Sequence, residues 1–289
     1  MIATLATLAA LAVGQQTDTT VPAPPGTRLD VSNPSGSIVV KAWTQKGVRV
    51  HAEHESSDQI EVTLDGPVLR VKTTSRRSSP REVSYIISVP AAMPLTLSGV
   101  HTNIDVDGAL GAVTVETVNG EINCRGGAGF VSLKSVDGRV AVQQAKGHIE
   151  INTVNEDISA TEVAGDISAA TLSGDIELRN VESSSVDAAT VSGEVLYSGT
   201  IVDAGHYHFT THNGDVTLAV PEKSNATITV STFNGDLDAS FPVNVAGASK
   251  HRFSFTIGAA SARGARIDIE TFNGDIKLRR PTELDERNE

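Results

Sequence analysis

Residues 117–124 read TVNGEINC and residues 271–278 read TFNGDIKL. Between them the same eight-residue pattern returns as SVDGRVAV (135–142), TVNEDISA (153–160), TLSGDIEL (171–178), TVSGEVLY (190–197), THNGDVTL (211–218) and TFNGDLDA (232–239). The template is Thr/Ser, a hydrophobic residue, Asn/Asp/Ser, Gly, Asp/Glu, then hydrophobic–x–hydrophobic. Its glycine position falls at 120, 138, 156, 174, 193, 214, 235 and 274, in steps of 18, 18, 18, 19, 21, 21 and 39, with Glu156 as the exception. A degenerate copy, GVHTNIDV (99–106), precedes the series by one step. A fixed period of this length marks a repeat architecture whose units bury their apolar faces against their neighbours.

A second strand lies between copies: AVTVET (112–117), FVSLKS (130–135), HIEINT (148–153), DISAAT (166–171) and HYHFTT (206–211). Each alternates with period 2, so each unit holds two short strands and two turns. Two architectures satisfy this. A two-residue turn at Asn119-Gly120 makes a hairpin, and a row of hairpins an antiparallel meander. Stacked turns make a β-solenoid, one coil per unit. Like residues recur by column, unit length is nearly constant, and inward residues are small. These three features favour an all-β solenoid of nine to ten coils, about 45 Å long at ~4.8 Å per coil. The 39-residue step is expected to hide one more unit, with strands near Val243–Val245 and Arg252–Ile257.

The composition agrees. Of 289 residues only 4% are aromatic, 25 are Gly and one is Cys, which suits a thin Val/Ile/Thr core and excludes an internal disulfide. The net charge of −12 argues against a nucleic-acid partner. Residues 1–100 are nearly balanced, with nine Lys/Arg and eight Asp/Glu, so the acidity belongs to the repeats.

Along the chain, residues 1–14 read as a signal peptide: the apolar run MIATLATLAALAV ends in Ala12-Val13-Gly14, a small-x-small cleavage site. No Lys or Arg precedes Arg28 to supply the usual basic n-region. Residues 15–27 (QQTDTTVPAPPGT) read as a linker, 28–96 as a strand-rich cap or first coils with a turn at Asn33-Pro34-Ser35-Gly36, 97–280 as the solenoid, and 281–289 as a polar tail. No transmembrane segment is expected in the mature chain.

The order NPSGSIVVKAW (33–43), SVPAAMPLTL (88–97) and serial Asn-Gly-Asp/Glu-Ile copies resembles the bacterial "putative adhesin" family, β-strand-repeat proteins related to domains of Lia-type envelope stress proteins. The resemblance covers roughly 28–280. It implies a β-helix-like solenoid and brings no catalytic residues. Glu156 departs from the turn pattern, at a cost of about 1 kcal/mol if that position needs positive φ.

Candidate chemistry is sparse. The turn residues Asn119, Gly120, Gly138, Gly174, Gly193, Gly214, Gly235 and Gly274 read as structural. After them comes an acidic column: Glu121, Asp157, Asp175, Glu194, Asp215, Asp236 and Asp275, broken by Arg139. Stacked carboxylates offer a weak Ca²⁺ or partner surface, set against the plainer reading of Asp that solvates and bonds its own turn. His206 and His208 share a strand face and are weak metal candidates, set against ordinary surface histidines near His212. Cys124 sits in an apolar column and reads as a buried small hydrophobe. Phe233 and Phe272 are expected to cover one edge of the core. The basic loop with Arg76, Arg77 and Arg81 reads as solvated, with an anionic surface as the sharper alternative.

The sequence therefore predicts an exported protein, periplasmic, surface-bound or secreted. Its expected role is that of a non-catalytic adhesin-like or envelope scaffold whose partner is a cell-surface or envelope polymer or protein. The alternatives are a sensor ectodomain acting through a membrane partner and, third, a polysaccharide-active β-helix enzyme. The scarcity of aromatics for sugar platforms weighs against the third.

Overall fold

The computed structural model describes residues 15–75, 81–221, 223–243, 245–249, 252–258 and 264–285. The expected signal peptide, Arg76 and Arg77, and residues 286–289 lie outside them.

The strands flanking Asn119-Gly120 do not pair with each other. Val113–Glu116 lies parallel to Ala128–Lys134, in the register Val131↔Val113, and Ile122–Gly126 lies parallel to Val140–Gln143, in the register Val140↔Ile122. The same in-register parallel pairing carries on from unit to unit as far as Val216–Ala219. The fold is a β-solenoid, and the meander is excluded. Each coil contributes one strand to each of two facing sheets. Alternate side chains point inward, so Val113, Val115, Ile122 and Cys124 are buried along with their counterparts in every coil. At about 1.5–3 kcal/mol for each fully buried aliphatic side chain, this narrow seam is the main stabilising term. Large rings enter where the units lengthen: Tyr197, Tyr207 and Phe209 pack together, and the Tyr207 hydroxyl donates to Ser183 O at 2.7 Å while accepting from Val202 N at 3.0 Å.

Where the turn position is glycine, stacking leaves no room for a side chain. A Cβ on Gly138 would lie 1.9 Å from the carbonyl oxygen of Gly120, and one on Gly274 would lie 1.9 Å from that of Gly214. Glu156 has no positive φ, so the cost tied to that conformation does not arise.

The ends depart from sequence order. Arg28–Trp43 is one 16-residue strand that runs through both sheets, with Asn33 fully buried inside it, where a turn was expected. It pairs on one side with Val68–Ser75 and Val83–Pro90, and on the other with Leu95–Ala109. The coil 28–43 thus sits between the coils 68–90 and 95–109. Asn33 staples all three: its Nδ2 donates to Val83 O at 2.8 Å, its Oδ1 accepts from Thr73, and its carbonyl accepts from Thr102 Oγ1 at 2.8 Å.

At the other end Ala265–Asn273 pairs with both His206–Asn213 and Ala226–Asn234, which places the coil 265–279 between 206–219 and 226–239. Lys277 bonds Asp215 on one side and Arg279 bonds Asp238 on the other, each at 2.5 Å. Among the described residues the 39-residue step therefore holds no further coil. Val245–Ser249 and Arg252–Ile257 form an antiparallel hairpin laid on Ala226–Asn234.

The N-terminal end is closed in the same manner. Gly47–His54 lies antiparallel to Val83–Pro90, and Asp58–Asp65 antiparallel to Val68–Ser75. Gln15–Pro22, expected as linker, is a strand antiparallel to Gly47–His54. Antiparallel covers deny a neighbouring molecule the open edge of a parallel stack. Pro281–Asp285, expected as tail, is a short helix. Counting both inserted coils, eleven coils stack among the described residues, one or two more than expected.

Candidate functional site

The recurring turn builds one long edge of the solenoid, and each template position has a fixed place in it. The Thr/Ser comes last on its strand and points inward. Thr117, Ser135, Thr153, Thr171, Thr190, Thr211, Thr271 and Thr232 are all buried. Each hydroxyl donates across the stack to a turn carbonyl of the adjacent coil, as in Ser135 to Gly120 O at 3.1 Å, Thr153 to Gly138 O at 3.2 Å and Thr211 to Gly193 O at 2.9 Å. The hydroxyl suits this buried position because a buried polar group needs a partner and the turn carbonyls of the adjacent coil supply one.

The next residue continues the alternation and points outward, and the period breaks only at the residue after it, which is exposed as well. Across nine adjacent coils this position is Val100, Val118, Val136, Val154, Leu172, Val191, His212, Phe272 and Phe233. Twelve large hydrophobics are exposed among the described residues, and seven of them stand in this column, so it is a stripe and not scatter. His212 stacks on Phe272 at 4.8 Å, and Phe272 on Phe233 at 4.9 Å with the rings 4° apart. Phe233 and Phe272, expected to cover the core, are instead about half exposed at the end of this stripe.

Beside the stripe the Asn/Asp/Ser column caps the turns. Asn155 donates to Asp137, Asn273 to Asn213, Asn234 to Asn273, and Asn119 to His101.

The acidic column follows. Asp157 Oδ1 accepts the backbone N–H of Asp175 at 2.9 Å, Asp175 that of Glu194 at 2.7 Å, Asp215 that of Asp275 at 2.8 Å, and Asp275 that of Asp236 at 2.9 Å. Asn103 does the same for Glu121 at 3.0 Å, so this cap is made by a short side-chain oxygen and needs no charge. One oxygen of each of these Asp carboxylates is thus engaged with backbone. Burial alone would raise the Asp215 carboxyl. The Lys277 ammonium and the Asp275 amide outweigh burial and hold it below the usual range. Arg139 pairs with Asp157 at 3.2 Å. Between this column and the adjoining sheet face runs a shallow groove of about 340 Å³, lined by Arg139, Asp157, Asp175, Glu177, Glu194 and Leu196.

The remaining candidates lie elsewhere. His206 and His208 are exposed on one face of their strand, His208 bonded to Thr210 at 2.9 Å. No group of three or more His, Cys, Asp or Glu that could hold a metal ion stands among the described residues. Cys124 is buried, and burial pushes its thiol up to about 12. Arg81 pairs with Glu55 at 2.8 Å. No helix among the described residues is long and apolar enough to cross a membrane.

A stack of coils carrying this turn from one end to the other matches the Toastrack DUF4097 sequence profile over residues 26–279. The chain belongs to the Toastrack DUF4097 family. No curated protein matches it in sequence. Among solved structures it is similar to a "putative cell adhesion protein" from Clostridium sporogenes, 11% identical over 93% of this chain and 100% of that one, with a TM-score of 0.32. It is also similar to a "putative lipid binding protein" from Parabacteroides distasonis (8% identical, 91% and 96% covered, TM-score 0.44) and a "putative adhesin" from Bacteroides fragilis (11%, 92% and 98%, 0.38). For this Toastrack chain the turn edge is the signal that sequence reading half found. The template contained the outward hydrophobic column, but its direction depends on where the corner interrupts the strand.

Proposed function

We propose that the chain is an exported, non-catalytic, adhesin-like protein of the cell envelope or surface that binds an elongated partner along the turn edge of its solenoid. The observation that carries this reading is the stripe itself. Seven exposed large hydrophobics stand in one column, repeated coil after coil and flanked by carboxylates. Contiguous exposed apolar surface on a folded chain marks an interaction site more often than an accident. The groups with catalytic potential support the same reading: Cys124 is buried as a neutral thiol, and the Asp column bonds backbone. Export rests on the apolar run 1–13 and its small-x-small end.

The test has two parts. N-terminal sequencing of the protein expressed in a bacterial host is expected to begin at Gln15, with the product in the exported fraction. Purified protein incubated with isolated envelope fractions is expected to co-sediment. Retention of Met1 in the cytoplasm would overturn export, and release of unsaturated oligosaccharide from uronate polymers would overturn the non-catalytic reading.

A further inference from the structure

Resting on that reading, we infer that the occupant of the turn edge is a cationic amphipathic helix of a partner polypeptide, laid lengthwise along the apolar stripe with its basic side chains over the acidic column. Three observations on this edge carry the inference.

The first is shape. The stripe is one residue wide and nine rungs long, about 38 Å at ~4.8 Å per coil. The stacked rings fix the rung spacing at 4.8–4.9 Å where it is measured directly. Apolar positions on a helix recur every ~3.5 residues, or about 5.2 Å at 1.5 Å rise, so a helix keeps step with the rungs over several turns. A bilayer or a flat protein face would meet only the crest of so narrow a ridge.

The second is charge. Three residues beyond each apolar rung stands the acidic column, with seven carboxylates and one guanidinium, Arg139, which is already paired with Asp157. A second copy of this chain, itself at −12, would bring carboxylate against carboxylate, and an anionic headgroup surface would be repelled in the same way. A Lys- or Arg-bearing helix is the complementary partner.

The third is relief. Leu172 and Val191 are 50% and 43% exposed, and three residues beyond them Asp175 and Glu194 line the shallow groove together with Glu177 and the Asp157-paired Arg139. Long basic side chains lay their methylene stems on apolar surface and carry the charge outward, which suits an apolar rung followed by a carboxylate. An apolar stripe that anchors and a charged flank that orients is the helix-recognition mode of many regulatory complexes.

The experiment uses the protein from Gln15 onward and a fluorescent synthetic peptide of about six helical turns, ~32 Å long, with Leu at a and d and Lys on the flanks. Fluorescence anisotropy is expected to show saturable binding that weakens severalfold between low and high salt. A peptide with Lys replaced by Glu, and one of the same composition with the stripe scrambled, are expected to bind at least about tenfold more weakly. The combined variant Val136→Ser, Leu172→Ser, Val191→Ser removes three exposed rungs and no charge, and is expected to lose binding by a similar factor. Leu110→Ser, exposed elsewhere, leaves it unchanged. If the triple variant melts early, Asp175→Asn with Glu194→Gln replaces it: the amide cap survives, as at Asn103, and peptide binding is still expected to fall. Equal binding of the acidic or scrambled peptide, or full binding by either variant, overturns the inference. So does a dimer in sedimentation that the triple variant dissociates, which would assign the stripe to a second copy. Envelope co-sedimentation that the triple variant abolishes, with no peptide binding, refutes the helix and leaves the broader reading standing.

Discussion

At the N-terminal end an early coil, 28–43, sits between 68–90 and 95–109. At the C-terminal end a late coil, 265–279, sits between 206–219 and 226–239. Both inserted coils belong to the same stack and both lie near antiparallel covers, yet different chemistry holds them. Asn33 ties the first through buried, neutral hydrogen bonds to both neighbours. Lys277 and Arg279 tie the second through ion pairs to Asp215 and Asp238 nearer the surface. Buried amide bonds respond little to salt or pH, whereas accessible ion pairs respond to both. The two ends therefore share a topology and differ in what conditions loosen them.

The largest expected effect separates the ends outright. A chain terminated before Ala265 loses the coil that pairs with both 206–219 and 226–239. Limited proteolysis is expected to cut throughout 226–257 while 95–219 stays protected, and continued protection of 226–239 would mean that it docks directly on 206–219. Next is the middle of the stack. Gly138→Ala has no space for its Cβ beside Gly120 O, and urea unfolding is expected to show a loss above about 3 kcal/mol. Gly66→Ala, at a loop tip with φ +56° and nothing within 4 Å, should cost only about 1–2 kcal/mol. Asn33→Ala removes the side-chain bonds to Val83 O and Thr73 on the 68–90 side and keeps the backbone carbonyl that Thr102 bonds, for an expected loss of about 2–3 kcal/mol that is the same in low and high salt. A salt-dependent loss would break the contrast between the ends. The smallest effect is at Lys277 and Arg279. Against the upward push of burial at Asp215, ion pairing with Lys277 and Arg279 holds the Asp215 and Asp238 carboxyls below the usual carboxylate range. Their stabilisation is thus present at neutral pH and lost as pH falls through the folded-state values, below about 4. Hydrogen exchange is expected to show 226–239 and 265–279 opening first on acidification, and Lys277→Met with Arg279→Met should reproduce that opening at neutral pH.

The unit of this fold was legible because a parallel in-register stack copies each residue's surroundings from coil to coil. Thr153 and Asn155 meet nearly the same neighbours as Thr171 and Ser173, so the same residue types return. That very sameness hides the order of the coils. Nothing in TFNGDIKL says whether it stacks beside THNGDVTL or beyond TFNGDLDA, since each turn fits the next equally well. The order is set by long-range elements that carry no period: the hairpin 245–257, the strand 15–22 and the buried amide of Asn33. Of the site, the acidic column and its bonding to backbone could be read directly, but the N–H that each Asp accepts belongs to the adjacent coil and not to its own turn. The apolar rungs were visible as hydrophobic and misplaced as core at Phe233 and Phe272, because a corner of two residues shifts the phase of a strand.

Synthesis runs from the N-terminus, and domains settle as their residues appear. Coils from 113–126 to 206–219 can close in the order in which they are made. The place beside 206–219 stays vacant while 226–239 and its hairpin emerge, and it is filled only when 265–279 exists. The fold at that end is sealed only by the arrival of 265–279. A prematurely released product is distinguished by two open strand edges that the finished protein hides, which gives cellular surveillance something to recognise other than length.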